Sequence, residues 1–117
     1  MDPRARRGAG GEDAAEAWYR EHGFRILARN WRCRAGEIDL VADRGALLVI
    51  CEVKTRGGRS FGGGFEAVGW EKQRRLRRLA ELFLAEAGRS PRSVRFDVAS
   101  VAGGRRGWVV EVFEDAF

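Results

Sequence analysis

Lysine is nearly missing from this chain. Of its 22 basic residues only Lys54 and Lys72 are not arginine. If position 54 needed only positive charge, arginine would be expected there, so Lys54 marks a place suited to a compact ammonium that sheds its proton on desolvation and faces a water or a phosphate. Histidine is scarcer still. The single one, His22, falls at the end of an expected helix, where the dipole accounts for it, and no Ser/His/Asp or Cys/His system can be built around it. Cys33 and Cys51 form no CxxC or Cys/His cluster, which leaves no zinc signature and points to buried free thiols. No apolar run approaches the length of a membrane span, and Met1 to Gly11 has no apolar core of a secretory signal, so a cytoplasmic protein without membrane contact is expected. A GxxxxGK[ST] loop is also missing, which excludes P-loop nucleotide hydrolysis.

What is present suits one small domain. The 117 residues, 44% of them apolar, allow a single core over 11–117, preceded by a basic tail (1–10) expected to be disordered. The net charge of +5 suits a polyanion such as nucleic acid, although an anionic membrane surface or an acidic protein would satisfy it equally.

Periodicity supplies the elements. A helix is expected from Glu12 to about His22, then a strand from Phe24 to Cys33. Gly36-Glu37-Ile38-Asp39-Leu40-Val41-Ala42 and Leu47 to Lys54 read as a hairpin turning at Asp43-Arg44-Gly45. A glycine-rich loop follows Arg56. A second helix is expected over Glu71 to Ala87, with Leu76, Leu79, Ala80 and Phe83 as its buried stripe. Strands over Ser93 to Val101 and Trp108 to Phe113 close the chain. The order is αβββαβ plus a final strand. This predicts an α/β fold whose mixed sheet pairs strand four parallel to strand three through the helical crossover.

The hairpin carries the chemistry. Strand alternation puts Glu37, Asp39 and Val41 on one face and Ile38, Leu40 and Ala42 on the other, with Glu52 and Lys54 sharing a face with Ile50. Asp39, Glu52 and Lys54 then come within reach of one another. Two carboxylates suit a hard divalent cation and a lysine can position a water beside it; a solvated sheet face with cross-strand ion pairs carries the same residues. On the second helix, Lys72 and Gln73 are expected to border the cleft, and Arg74, Arg75 and Arg78 to form an outward basic surface that serves as a phosphate track or simply as a solvated face.

This ordered set resembles the PD-(D/E)xK nuclease superfamily, and within it the archaeal Holliday junction resolvases. Gly11-Glu12-Asp13, Arg29-Asn30-Trp31-Arg32, Gly36-Glu37-Ile38-Asp39-Leu40, Glu52-Val53-Lys54-Thr55-Arg56, Phe61-Gly62 and Arg95-Phe96-Asp97-Val98 are similar to the YraN-like family of bacterial proteins. The resemblance implies a restriction-endonuclease-like core, an endonuclease acting on DNA with Mg2+ or Mn2+, and a homodimer if the substrate is a four-way junction. It implies that Asp39, Glu52 and the Val53 carbonyl are metal ligands and that Lys54 orients the attacking water. Glu12, eleven residues ahead of Gly23, stands where the resolvases place a helix glutamate, though a helix's first turn favours an acidic residue anyway. Arg56 joins the expected nucleic-acid contacts. Ile38 stands where the superfamily's nominal pattern has proline, a residue that is not a ligand. The resemblance equally admits a catalytically idle nucleic-acid-binding module in a DNA repair or recombination assembly.

Overall fold

The computed structural model describes residues 3–56 and 68–117, with side chains described from Gly10 onward. The glycine-rich loop expected after Arg56, including Phe61-Gly62 of the family pattern, lies outside the described residues. The elements run α1 (Pro3–Glu21), β1 (Arg25–Cys33), β2 (Gly36–Arg44), β3 (Leu47–Arg56), α2 (Trp70–Ala87), β4 (Ser93–Gly104) and β5 (Gly107–Phe113). Helix α1 thus begins ahead of Glu12, over residues read from the sequence as a tail.

One five-stranded sheet in the order β1-β2-β3-β4-β5 carries the structure. All neighbours are antiparallel except β3 and β4, which run parallel from Leu47↔Ser93 to Arg56↔Ala102. The parallel pair follows from the connection: two strands joined through an 18-residue helix have the chain length to return in the same direction. Each face of the sheet is covered by one helix. On α2, Leu76, Leu79, Ala80 and Phe83 bury their stripe against Val41, Leu48, Ile50, Phe96 and Val98. On α1, Ala15 and Tyr19 pack against Leu40, Ala42, Val49, Cys51, Ala99 and Val101.

Gly11 brings α1 close to the sheet. A Cβ there would overlap the Thr55 hydroxyl and meet Thr55 Cβ at 3.4 Å, so the helix approaches β3 only because the position is glycine. Farther along α1, the Tyr19 hydroxyl donates to Asp97 Oδ2 at 2.6 Å. Asp97 has no exposed surface and also accepts from the Arg95 guanidinium and the Asp115 N–H, a structural ion pair with the neighbouring Arg95 of the same strand. Both cysteines are free, with Cys51 buried and Cys33 half-buried.

One expectation about faces fails. Ile38 joins Val41 in the α2-side cluster, whereas Leu40 and Ala42 lie in the α1-side cluster. Strict alternation breaks where the ladder does: β2 pairs with β3 only as far as Leu40↔Cys51, and opposite this point β1 carries Asn30 at φ +51. The strands part just ahead of Leu40, and that parting opens the site.

Candidate active site

Where the β2–β3 ladder stops, a side chain replaces it. Asp39 Oδ2 accepts the Val53 N–H at 2.8 Å, so the carboxylate takes the place of a backbone acceptor between the diverging strands. Glu52, next to Val53, turns to the α2 side and forms an ion pair with Lys72. Glu37, Asp39 and Glu52 from the sheet, and Lys72, Arg75, Leu76 and Leu79 from α2, line a cavity of about 230 Å³. One wall is acidic and the other basic over an apolar floor.

Burial pushes the Asp39 carboxyl up to about 7, and the nearby charges of Glu52, Glu12 and Glu37 act in the same direction against the Val53 N–H, which favours the carboxylate. Glu12 therefore reaches the site's electrostatic field from α1. It is held in place by the Asn30 amide, which donates to Glu12 Oε2 at 2.8 Å, and by Arg29 at 3.6 Å. Glu37 sits at the rim with Arg32 at 3.0 Å.

Asp39 and Glu52 thus meet as expected, with Glu12 and Glu37 nearby. Lys54 does not line the cavity; it is half-buried and, among the described residues, makes no hydrogen bond or ion pair. Lys72 borders the cleft as expected, but Gln73 does not: its side-chain amide donates to the Val68 carbonyl at 2.8 Å and ties down the start of α2. Arg75, read as outward, turns along the cavity wall, where its Cδ lies beside Gly36 of the β1–β2 turn. Arg74 stacks over the exposed Trp70 ring at 4.8 Å, and Arg78 pairs with Glu81 at 3.3 Å. Arg56 ends β3 opposite Ala102. The residue missed from the sequence is Asn30. Asparagine tolerates positive φ better than most residues, and its place in the middle of an expected strand was the available signal.

Among the described residues no three carboxylate, histidine or cysteine groups converge tightly enough to hold a metal ion between them. The reason is visible in the partners: Glu52 faces Lys72 while Glu12 faces Asn30 and Arg29. Asp39 and Glu52 remain a pair of oxygen donors beside a cavity.

Fold and site together define a class: a mixed α/β protein whose five-stranded mixed sheet, flanked by two helices, is compatible with a restriction-endonuclease-like core and carries an acidic cleft at the parting of two central strands. Residues 11–101 match the family model described as "Uncharacterised protein family UPF0102". The chain belongs to the UPF0102 family, the YraN-like family that its sequence resembles. It is 53% identical over 104 residues to a UPF0102 protein of Parafrankia sp. (strain EAN1pec), covering 89% of this chain and 88% of the relative. A UPF0102 protein of Symbiobacterium thermophilum is 53% identical over 100 residues, 86% and 85% of the two chains. A UPF0102 protein of Moorella thermoacetica is 48% identical over 116 residues, 97% of each.

Proposed function

We propose that this chain is a metal-dependent endonuclease that hydrolyses DNA phosphodiesters at the Asp39/Glu52 cleft. The observation that carries the reading is the meeting of two carboxylates from adjacent strands in a cavity whose opposite wall is the basic face of α2. Magnesium keeps most of its waters and needs only one or two protein carboxylates with substrate oxygens, so Asp39 and Glu52, with the Val53 carbonyl, fit it chemically although no third acidic group converges. Such an ion, or manganese, would supply charge neutralisation at the phosphoryl oxygens.

The chain's own residues supply the rest. Lys72 and Arg75 face the position a phosphate would take and offset its charge. Lys54, two residues beyond Glu52 on β3 and outside the cavity lining, would have to turn toward Glu52 to hold the attacking water by hydrogen bond and ease the charge developing on phosphorus, the role the superfamily resemblance gives it. Glu12 adds a fourth carboxylate from α1. Arg74 and Arg78 extend the positive surface along the helix for the flanking backbone. A preference for branched DNA, and with it a homodimer, is what the resolvase resemblance suggests. No helix of the described residues is long and apolar enough to cross a membrane.

One observation favours a second reading, an idle nucleic-acid-binding module: Glu52 is already neutralised by an internal cation, Lys72. Cleavage separates the two. Labelled four-way junction, flap, linear duplex and single-stranded DNA are incubated with magnesium or manganese and wild type, Asp39→Asn or Lys54→Ala. A nuclease cuts at least one substrate only with metal and loses turnover in both variants, while Asp39→Asn still binds. Binding of every substrate with no cutting above the variants' background would instead establish the binding module.

A further inference from the structure

The basic wall of the cleft leads into a second cavity. Beyond Arg75, about one helical turn along α2, Arg78, Leu82 and Glu86 face Trp31, Cys33 and Arg34 across a space of about 430 Å³. The β1–β2 turn runs along both cavities, with Cys33 and Arg34 at the second and Glu37 at the first, and Gly36 between them contributes no side chain to separate them.

Trp31 lines this space and is held from two sides. Its ring meets Phe83 edge-on at 5.5 Å and 88°, and its indole N–H donates to Glu86 Oε2 at 2.8 Å. These two anchors fix the ring plane. Four arginines of the described residues lie over aromatic rings, on Phe24, Trp70, Phe96 and Phe117, but none lies over Trp31. A fixed indole beside a cavity, flanked by two guanidinium groups, matches what single-stranded nucleic acid requires: a platform for a base and positive charge for the adjoining phosphates. A base inside a duplex has both faces covered by its neighbours and cannot use such a platform.

We propose that this cavity receives an unpaired nucleobase, stacked on Trp31, from the strand whose phosphate lies in the Asp39/Glu52 cleft. The proposal rests on the nuclease reading of that cleft and narrows its substrate to nucleic acid with an unpaired nucleotide next to the scissile bond: a single strand, a flap or an open branch. The 430 Å³ cavity thus selects structure rather than base sequence.

The test is binding in EDTA, where no hydrolysis occurs, of an oligonucleotide carrying 2-aminopurine, either single-stranded or fully paired. The full chain is used as Asp39→Asn with Trp31 intact or replaced by leucine. Loss of the platform lowers single-strand affinity about 5- to 100-fold, with duplex affinity changed less than twofold and the quenching of 2-aminopurine abolished. Because Trp31→Leu also removes a contact to Phe83, a second measurement uses the unaltered protein: bound single strand slows maleimide alkylation of half-buried Cys33, and duplex does not. Unchanged single-strand affinity in folded Trp31→Leu, or equal alkylation of Cys33 with and without single strand, would overturn the proposal. Failure of the nuclease reading has a separate signature, absence of metal-dependent cleavage of every substrate by wild type, which neither binding measurement requires.

Discussion

At the scale of single residues, Asp39 shows a site held at the expense of stability. Its carboxyl is raised to about 7 by burial and by the charges of Glu52, Glu12 and Glu37. Between the unfolded value near ~4 and that folded value, the native state holds a proton the unfolded chain has released, so stability falls as pH rises through this window. Asp43 works in the opposite sense and elsewhere on the scale. Its hydrogen bond to Arg25, with the charges of Arg25 and Arg89, holds its carboxyl below the usual range, so its contribution is lost only as the solution becomes more acidic than the window of Asp39. Urea unfolding at pH 5 and pH 8 therefore spans the window of Asp39 and leaves out that of Asp43. Wild type is expected to be less stable at pH 8, and Asp39→Asn, which keeps an acceptor for the Val53 N–H, should remove most of that difference, about 1–3 kcal/mol after allowance for solvent screening. An equal pH dependence in both proteins would show that the burial and the neighbouring charges do not act on Asp39 as argued. The pairing of Asp39 with Glu52 was legible in the sequence because strand alternation and a short turn determine it. Lys54 was not legible, because alternation gives a face and not a reach: the ammonium that meets Glu52 comes from Lys72 on another element.

At the scale of elements, the site depends on how closely α1 lies on β3. Gly11, Ala15 and Tyr19 recur every four residues and are all buried, which makes one stripe of α1 the contact surface. Gly11 sits one residue before Glu12, so a displaced helix moves the acidic group away from Asp39. Gly11→Ala should lower stability by about 1–3 kcal/mol through overlap with the Thr55 side chain, even though alanine favours the helix itself. Adding Thr55→Ala should restore part of that loss, and chemical denaturation of the two single variants and the double variant measures the coupling. Strict additivity would mean that the contact does not set the helix position. The elements themselves were readable because their periods are unambiguous: Leu76, Leu79, Ala80 and Phe83 at helical spacing, and alternating or continuous apolar runs in the strands. Two features could not be read. The face of Ile38 depends on where β2 leaves β3, a matter of pairing and not of pattern. The inward course of Arg75 depends on how α2 sits against the β1–β2 turn, which a helical period does not encode.

At the scale of the whole molecule, the net charge of +5 acquires a direction only through the fold. Several arginines are committed internally: Arg25 and Arg89 to Asp43, Arg95 to Asp97, and Arg77 over Phe96. Arg75 and Arg78 line the two neighbouring cavities of the α2 face, and the pair Arg78 makes with Glu81 is exposed and weak. If that face tracks a phosphate backbone, its contribution appears in the salt dependence of binding, since each neutralised phosphate releases counterions and steepens the fall of affinity with salt. Replacing both Arg75 and Arg78 by alanine should reduce the slope of log K against log salt for single-stranded DNA by about 1.4, and weaken binding to different sequences by a similar factor. Arg25→Ala is the control. It removes one positive charge, half of that lost in the double variant, from a guanidinium bound to Asp43 through 2.8 and 2.9 Å hydrogen bonds, away from the α2 wall, so it should leave the slope unchanged. Fluorescence anisotropy at several salt concentrations reads all three proteins. A slope altered equally by every arginine removed would mean that DNA responds to the overall charge, and the oriented basic wall along α2 would then have no role in binding.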